Sequence, residues 1–237
     1  MKTTNIEELI QDISEPRLKT YKDVDNFSDV ELLSFYFKIQ EISSHFFVPI
    51  QILEIILRNR LNHELKILNN KRRNWTKENW YETIEGELSK KSKDMLKNAM
   101  SKSKGGSEGD LIANITFGFW VYLLDAQHSD NKNPLAFWQY IEHKVFPDKK
   151  NKNLKEIFNI LKRVNKVRNR LYHYEPIWKE TKPRKLSKKI VISKMMDEYN
   201  KIYEAIGIIS SEKKILMEKM DFKSKFEECC QNNVFFQ

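Results

Sequence analysis

The sequence contains few glycines, prolines and cysteines, and it lacks a long apolar run. Only 6 of its 237 residues are glycine and 6 are proline, so it is short of the turn signals that a sandwich or barrel of many short strands requires. The two cysteines, Cys229 and Cys230, are adjacent, which fits neither a disulfide framework nor a zinc site. The apolar stretches Phe46–Leu57 and Leu111–Leu124 are shorter than the roughly 18 residues of a membrane-spanning helix, so we expect no span.

Composition and charge favour a globular protein that binds a polyanion. Apolar residues make up 40% of the chain and charged residues 32%, which is too apolar for a disordered polymer. The 42 Lys and Arg residues outnumber the 33 Asp and Glu residues, giving a net charge of +9. Such an excess attracts either nucleic acid or an anionic membrane surface, and the short apolar stretches favour nucleic acid. The N-terminus is acidic and polar, unlike a secretory signal, so we expect a cytoplasmic protein.

Helical periodicity recurs along almost the whole chain. Pro49 and Asp110 each precede an apolar segment and indicate a helix start. We therefore predict an all-α fold, in which one helical bundle domain covers residues 1–237, with a flexible loop near 103–109 and a C-terminal tail at 222–237. The segments with apolar residues three and four apart are Val30–Ile42, Ile50–Leu68, Leu111–Leu124, Leu154–Tyr174 and Ile190–Ile209.

The residues that point to chemistry are Arg168, Asn169 and His173, near the end of one predicted helix. Asn169 and His173 are four residues apart and would share a helix face, so the amide of Asn169 could orient the imidazole. Arg168 falls inside the apolar stripe of the same helix, where a charged group needs a partner or an opening onto a cleft. Glu54, which flanks the stripe of an earlier helix, is the predicted buried ion-pair partner of Arg168.

This region resembles a known family of ribonucleases. The spacing is similar to the Arg-x4-His motif of HEPN-domain ribonucleases, and the longer segment RNRLYHYEPIW at residues 168–178 resembles the C-terminal signature of Abi-like abortive-infection proteins. Other parts of the resemblance occur in the same order: LRNRL at 57–61, FGFW at 117–120, and Phe146–Pro147 before the motif helix. The likeness extends over roughly residues 27–209.

The resemblance implies a HEPN-like bundle with additional helices and a metal-independent endoribonuclease that uses no cofactor. In such a reaction the ribose 2′-hydroxyl attacks the adjacent phosphate and leaves a 2′,3′-cyclic phosphate and a 5′-hydroxyl. His173 would transfer protons, Arg168 would stabilise charge on the phosphoryl oxygens, and Asn169 would orient His173. The family also implies a homodimer with two motifs at one cleft, acting in phage defence and restrained by an antitoxin that is a noncoding RNA or a protein.

A second copy of the spacing, formed by Arg58, Asn59 and His63, leaves an alternative open. If both copies lie near one cleft, a single chain would carry a composite site. Periodicity places His63 on the side opposite the apolar stripe of its helix, so we interpret it as a surface histidine and assign the chemistry to the later motif.

Three basic runs, at 66–73, 149–155 and 179–189, are the predicted RNA contacts, and two of them are bordered by tryptophan. Lys and Arg neutralise phosphate while an exposed aromatic ring stacks on a base. Trp75 and Trp178 also fit a second interpretation, in which they are core or lid residues. The residues predicted to contact RNA are Lys66, Lys71, Arg72, Arg73, Trp75, Arg163, Arg170, Trp178, Lys182, Arg184, Lys185, Lys188 and Lys189.

Two other functions fit the same residues. The first is a non-catalytic bundle that binds RNA or a partner and retains the motif as a scaffold. The second is a chain that a nucleotidyltransferase partner modifies on Tyr172 or Tyr174, both of which otherwise read as packing around the site. No spacing of His, Cys, Asp or Glu suggests a metal.

Overall fold

Helices make up the regular structure of the chain. The computed structural model describes residues 3–130, 132–179 and 186–234, and no strand occurs among them. The predicted all-α fold class is therefore confirmed. Short 3₁₀ turns cover Glu85–Glu87 and Ala126–His128. The α-helices are α1 (Thr3–Ile13), α2 (Glu15–Lys22), α3 (Asp29–Ser44), α4 (Phe47–Lys71), α5 (Trp80–Ile84), α6 (Lys90–Lys102), α7 (Glu108–Asn114), α8 (Phe117–Tyr122), α9 (Trp138–Val145), α10 (Leu154–Tyr172), α11 (Lys188–Ile209), α12 (Ser211–Lys219) and α13 (Phe222–Val234).

The helices divide between two compact units. The first unit comprises the described residues of Met1–Ile50, Lys166–Tyr203 and Ile215–Gln237, and the second comprises Gln51–Asn165 and Glu204–Lys214. The long helices α4, α10 and α11 each contribute residues to both units. The catalytic motif predicted at the end of α10 belongs to the first unit, whereas its second copy in α4 belongs to the second unit.

In the first unit, α1, α2 and α3 pack against one another and α13 packs against α3. Ser28 and Glu31 form a capping box that fixes the start of α3. Phe226 of α13 stacks on Tyr199 with ring centroids 3.8 Å apart, and burial raises the pKa of the Cys230 thiol to about 12. The described part of the predicted tail is therefore a helix that contributes to the core of this unit.

In the second unit, the apolar stripe of α4 is fully buried. Leu57, Leu61 and Leu65 have no exposed surface, as the spacing of three and four residues predicts. The Arg60 guanidinium, on the flank of this stripe, donates hydrogen bonds to the backbone carbonyls of Ile209 and Val145. These bonds tie the last turns of α11 and α9 to α4, because the final carbonyls of a helix have no partner within it.

The predicted helix Leu111–Leu124 is wrong, because the structure divides it into α7 and α8. Ile115 and Thr116 are extended, with ψ of 126° and 154°, and both are β-branched residues that favour extended backbone. The helix start expected at Asp110 is also displaced, since Ser107 caps α7 through a capping box.

Other boundaries differ from the sequence prediction by a few residues. Helix α4 begins at Phe47, so Pro49 lies in its first turn, where proline is tolerated. The predicted loop at 103–109 is a turn over Ser103–Gly106, with Gly105 at φ 81°, and its last residues already belong to α7. Within the described parts of the chain, no helix combines the length and hydropathy needed to cross a bilayer.

Candidate ribonuclease motif and its surroundings

The motif residues lie on the last turns of α10, whose buried face holds them in place. Val167 and Leu171 are buried, Arg168 is half-buried, and Asn169 and His173 are exposed. Arginine therefore lies at the edge of the apolar stripe, close to where periodicity predicts it. The imidazole lies on the solvent side, where a large substrate has access to it.

Helix α10 ends in a tight turn that fixes the backbone at His173. The helix stops at Tyr172, two residues before the predicted end at Tyr174. The His173 N–H still bonds to the carbonyl of Asn169 at 3.1 Å. Tyr174 has φ 57°, its N–H bonds to Leu171, and the Glu175 N–H bonds to Arg170 at 2.8 Å. This is the Schellman pattern, in which glycine usually occupies the left-handed position that Tyr174 takes here.

Two arginines clamp the turn that follows the motif. Arg170 Nη1 donates to the carbonyl of Ile177 at 2.9 Å, and Arg17 Nη1 of α2 donates to the carbonyl of Tyr174 at 2.9 Å. Burial lowers the pKa of Arg170, against the opposing effect of the Glu175 carboxylate nearby. Each guanidinium donates a hydrogen bond to a backbone carbonyl of the turn. The turn that carries His173 is therefore held by side chains from two helices, α2 and α10.

Exposed aromatic rings lie beside the motif. The Arg168 guanidinium carbon is 4.2 Å from the centroid of the Tyr172 ring, and that ring meets Phe47 edge-on with centroids 5.7 Å apart. Tyr172 is 48% exposed and Phe47 42% exposed. We name Arg168, Tyr172 and Phe47 the aromatic cluster. Tyr172 therefore presents a large part of its ring to solvent, whereas the sequence interpretation has it packing around the site.

Two predicted interactions of the motif have different outcomes. No hydrogen bond joins the side chains of Asn169 and His173 among the described residues, so an orienting role of Asn169 would have to arise when a substrate is bound. Glu54 and Arg168 are each half-buried, and each makes a hydrogen bond, a ring contact or an electrostatic interaction. Because Glu54 belongs to the second unit and Arg168 to the first, their pairing stays a prediction.

Replacing Tyr174 with glycine is expected to stabilise the protein. A non-glycine residue in the left-handed region costs about 1 to 2 kcal/mol, and the Tyr174 side chain is 65% exposed, so little burial is lost with it. We expect the free energy of unfolding to rise by about 1 kcal/mol after the greater chain entropy of glycine is deducted. Urea unfolding measures this as a higher midpoint with an unchanged slope.

Tyr174→Ala is the matched control for this substitution. Alanine also removes the ring but retains the positive φ of a residue with a Cβ, so no comparable gain is expected. An equal gain in the alanine and glycine variants would show that the ring, rather than the backbone conformation, opposes folding.

The second copy of the motif lies in the second unit and is arranged differently. Arg58 Nε donates to Asn59 Oδ1 at 3.2 Å, and both residues line a groove between α4 and α7. His63 is exposed, as its periodicity predicts, and does not line that groove. Within the second unit, therefore, the arginine and asparagine of this copy share a recess that the histidine does not enter.

The prediction that two tryptophans stack on RNA bases is wrong for this structure. Trp75 is 4% exposed and Trp178 is 3% exposed. Trp178 packs edge-on against Tyr21 with ring centroids 5.0 Å apart, and Trp75 packs edge-on against Phe137 at 6.4 Å. Both rings belong to cores, because burying their large apolar area outweighs leaving them at the surface.

Two predicted RNA-binding arginines are structural clamps in the described chain. Arg72 donates from Nη1 to Ala136 at 2.7 Å and from Nη2 to Pro134 at 2.8 Å, and its guanidinium lies over the Tyr140 ring. Arg170 is held by the carbonyl of Ile177, as described above. Both guanidinium groups therefore hold loops in place, and a further contact of either with phosphate stays a prediction.

The remaining basic residues differ in their ion pairs and in their exposure to solvent. Lys66 pairs with Glu108 at 2.7 Å, and Lys188 pairs with Asp25 at 3.3 Å. Arg163 is half-buried and has an interaction of its own. Lys71, Arg73 and Lys189 are exposed and stay predicted RNA contacts, while Lys182, Arg184 and Lys185 lie outside the described residues.

Sequence reasoning missed the contacts that join distant parts of the chain. The bond from Arg17 to Tyr174 spans 157 residues, and the pair of Lys66 with Glu108 spans 42. The exposure of Phe47 beside Tyr172 was missed as well. No spacing rule relates such residues, because rules of this kind describe neighbours on one helix.

Comparisons with known proteins add no assignment to this site. No model of a known protein family, no curated protein and no solved structure matches the chain. Among the described residues, no group of three or more His, Cys, Asp or Glu side chains is arranged to hold a metal ion. The function must therefore be inferred from the residues of the chain itself.

Proposed function

We propose that the protein is a HEPN-type endoribonuclease that acts in the cytoplasm as an abortive-infection effector. The observation that carries this proposal is the Arg168-x4-His173 motif at the end of α10, with an exposed imidazole on a clamped turn. The fold proposed with it is a HEPN-like bundle with additional helices. A fixed backbone favours catalysis because the reacting group need not be ordered when the substrate binds.

The residues suit cleavage of RNA by its own 2′-hydroxyl. A base removes the hydroxyl proton, the oxygen forms a bond to phosphorus, and the bond to the 5′-oxygen breaks as an acid protonates that oxygen. The products are a 2′,3′-cyclic phosphate and a 5′-hydroxyl, without a redox step. Histidine serves either as the acid or as the base near neutral pH, and the permanent charge of Arg168 stabilises the oxygens of the transition state.

The reaction needs two proton transfers, and the motif supplies one histidine per chain. We therefore propose a homodimer in which His173 of each copy faces one cleft. The composite site that would include His63 is the alternative within a single chain. The dimer site and the single-chain site can be distinguished by experiment. When one of two copies lacks His173, the dimer site keeps one histidine, whereas a site built from His173 and His63 stays complete in the other copy.

The aromatic cluster supports recognition of unpaired RNA. Exposed Tyr172 and Phe47 present rings on which bases stack, and Arg168 lies within the same cluster. Stacking is worth about 1 to 3 kcal/mol per base and tolerates any sequence. A net charge of +9 adds attraction to phosphate, and it favours an RNA antitoxin, although a protein antitoxin would act on the same site.

The proposal is tested by incubating the purified full chain with total cellular RNA in the presence of EDTA. We expect cleavage whose products carry 2′,3′-cyclic phosphate and 5′-hydroxyl ends, detected by their resistance to ligation until the cyclic phosphate is removed. Expression in cells is expected to arrest growth. Products with 3′-hydroxyl ends, or cleavage that EDTA abolishes, would contradict the mechanism.

A non-catalytic RNA-binding module is the second candidate, and one observation favours it. Arg168 stacks on Tyr172 within its own helix, an arrangement that a purely structural arginine also adopts. This function predicts that the wild-type protein binds RNA but cleaves none of it, and that the His173→Ala variant binds RNA with unchanged affinity.

A further inference from the structure

Helix α12 carries apolar side chains on its solvent side. Ile215 is 50% exposed and Leu216 is 54% exposed, and Met220, directly after the last residue of the helix, is 56% exposed. Met217 is the buried residue of the helix. Neighbouring exposed apolar side chains mark a surface that a partner covers, and the proposed cleavage reaction does not use this surface.

Two charged residues lie on the same face of α12 as the apolar pair. At about 100° per residue, positions i, i+3, i+4 and i+7 of a helix form one stripe. In α12 these positions are Glu212, Ile215, Leu216 and Lys219, and we name them the α12 stripe. Met217 lies on the opposite side of the helix. Because the stripe belongs to one continuous helix, helix geometry alone fixes the relative positions of its residues.

The two charges of the α12 stripe have no partner within the helix. An ion pair on a helix surface joins residues three or four apart. The residues three and four after Glu212, which are also those four and three before Lys219, are the apolar Ile215 and Leu216. Glu212 and Lys219 are exposed, and neither forms an ion pair with a described residue. Both charges are therefore available to a group outside the helix.

A second copy of α12 in the antiparallel orientation complements the stripe. Glu212 and Lys219 lie on either side of the midpoint between Ile215 and Leu216, each about 5 Å from it along the helix axis. Turning a second helix end for end therefore brings its Lys219 level with Glu212, and its Glu212 level with Lys219. A parallel second copy would place like charges opposite each other. Such self-complementarity is what a twofold interface requires, whereas a partner of another sequence requires no such symmetry.

We propose that α12 pairs antiparallel with α12 of a second copy of this chain. Ile215 and Leu216 of both copies form the centre of the contact, and an ion pair between Glu212 and Lys219 lies at each end. A helix of 9 residues is about 13 Å long and covers less than the roughly 800 Å² per partner of a standard interface. We therefore expect a reversible dimer with a dissociation constant of about 1 to 100 μM. The inference does not rest on the proposed ribonuclease, because the pairing uses no residue of the motif.

Sedimentation velocity of the full-length protein between about 1 and 200 μM tests the pairing. We expect the wild-type protein to change from monomer to dimer over this range. Leu216→Glu places an unpaired charge at the centre of the contact and is expected to weaken association at least about tenfold. Ile190→Glu is the matched control, because Ile190 is a 45% exposed apolar residue of α11 and is not part of the stripe. The variants replace exposed side chains, so the circular dichroism of each should match the wild type.

Charge reversal tests the antiparallel arrangement. Glu212→Lys sets lysine against Lys219 of the second copy at both ends, and Lys219→Glu sets glutamate against Glu212, so each variant alone is expected to associate about tenfold more weakly. An equal mixture of the two variants restores both ion pairs in a mixed dimer, and we expect its association to be within about threefold of the wild type. Lys213→Glu is the control, because it makes the same charge change at an exposed residue of α12 outside the stripe and should leave association unchanged.

Three results would overturn the proposal. The first is a wild-type protein that stays monomeric up to about 200 μM, because the stripe would then serve another partner. The second is that Leu216→Glu associates as tightly as Ile190→Glu, because a different surface would then join the chains. The third is that the mixture of charge variants associates no more tightly than either variant alone, because the stripe would then not face its own copy. None of these results depends on whether the protein cleaves RNA.

Discussion

The His173→Ala variant is expected to cleave RNA at least about 100-fold more slowly than the wild-type protein, because a positioned general acid or base contributes roughly 10² to 10⁴ to a rate. Folding should be unaffected. His173 is exposed, and its hydrogen bonds to α10 are made by the backbone N–H. Exposed side chains of this kind change stability by less than about 0.5 kcal/mol when replaced. Single-turnover cleavage and the thermal midpoint measure the two effects separately.

His63→Ala and His143→Ala are the matched controls, since both residues are exposed histidines. We expect both variants to cleave RNA at the wild-type rate. Retained cleavage in His173→Ala would remove the motif from the mechanism. Equal losses in His173→Ala and His63→Ala would indicate the composite site within one chain, and the proposed dimer would then be wrong.

Mixing chains tests the dimer more directly. If two copies of His173 act at one cleft, a hybrid of a wild-type chain and a His173→Ala chain has one histidine for two proton transfers. Cleavage by an equilibrated mixture should then fall below the average of the two separate preparations. A rate equal to that average would indicate that each chain acts alone.

The parts of the fold that the sequence predicts are those set by local periodicity. Helix α4 is predicted because Leu57, Leu61 and Leu65 alternate with polar residues at helical spacing, and burial of that stripe is decided within one helix. The break at Ile115 and Thr116 is not predicted, since the apolar run continues through it. Periodicity indicates which residues are buried. It does not reveal a helix break whose residues are themselves part of the apolar run.

The candidate site is predicted in its residues and less well in its geometry. The Arg168-x4-His173 spacing identifies the helix, but no residue type announces the left-handed backbone at Tyr174, because the usual signal there is glycine. In the sequence, Arg72 and Arg170 resemble phosphate ligands. The sequence shows that they are positively charged, but it does not show which group each guanidinium binds. Carbonyls as far as 64 residues away bind the Arg72 guanidinium instead, and only the folded chain reveals such a pairing.

Acidification from pH 7 to pH 4 is expected to destabilise the protein through His128. This residue is 1% exposed, its ring stacks on Phe137 with centroids 5.0 Å apart, and its Nδ1 has no hydrogen-bond partner among the described residues. Burial lowers its pKa to about 4, although the nearby Asp125 carboxylate acts in the opposite direction. The folded protein therefore holds this imidazole neutral, while the unfolded chain protonates it at its ordinary pKa.

The sign and size of the effect follow from proton linkage. Between an ordinary histidine pKa of about 6.5 and the folded pKa of about 4, the unfolded state binds more protons than the folded state, so stability falls as the pH falls. The loss begins below about pH 6.5 and is complete near pH 4. A displacement of this size corresponds to about 3 kcal/mol, a substantial fraction of the 5 to 15 kcal/mol that is typical of a folded domain.

The measurement compares urea unfolding of the wild-type protein and the His128→Leu variant at several pH values between 7 and 4. Leucine removes the titrating ring and the buried nitrogen, so the variant should lose less stability than the wild type on acidification, by up to about 3 kcal/mol at pH 4. His143→Leu is the control, because His143 is exposed and its removal should leave the pH dependence unchanged. Parallel curves for wild type and His128→Leu would contradict the prediction. They would mean that this imidazole accepts a proton in the folded state as readily as in the unfolded chain.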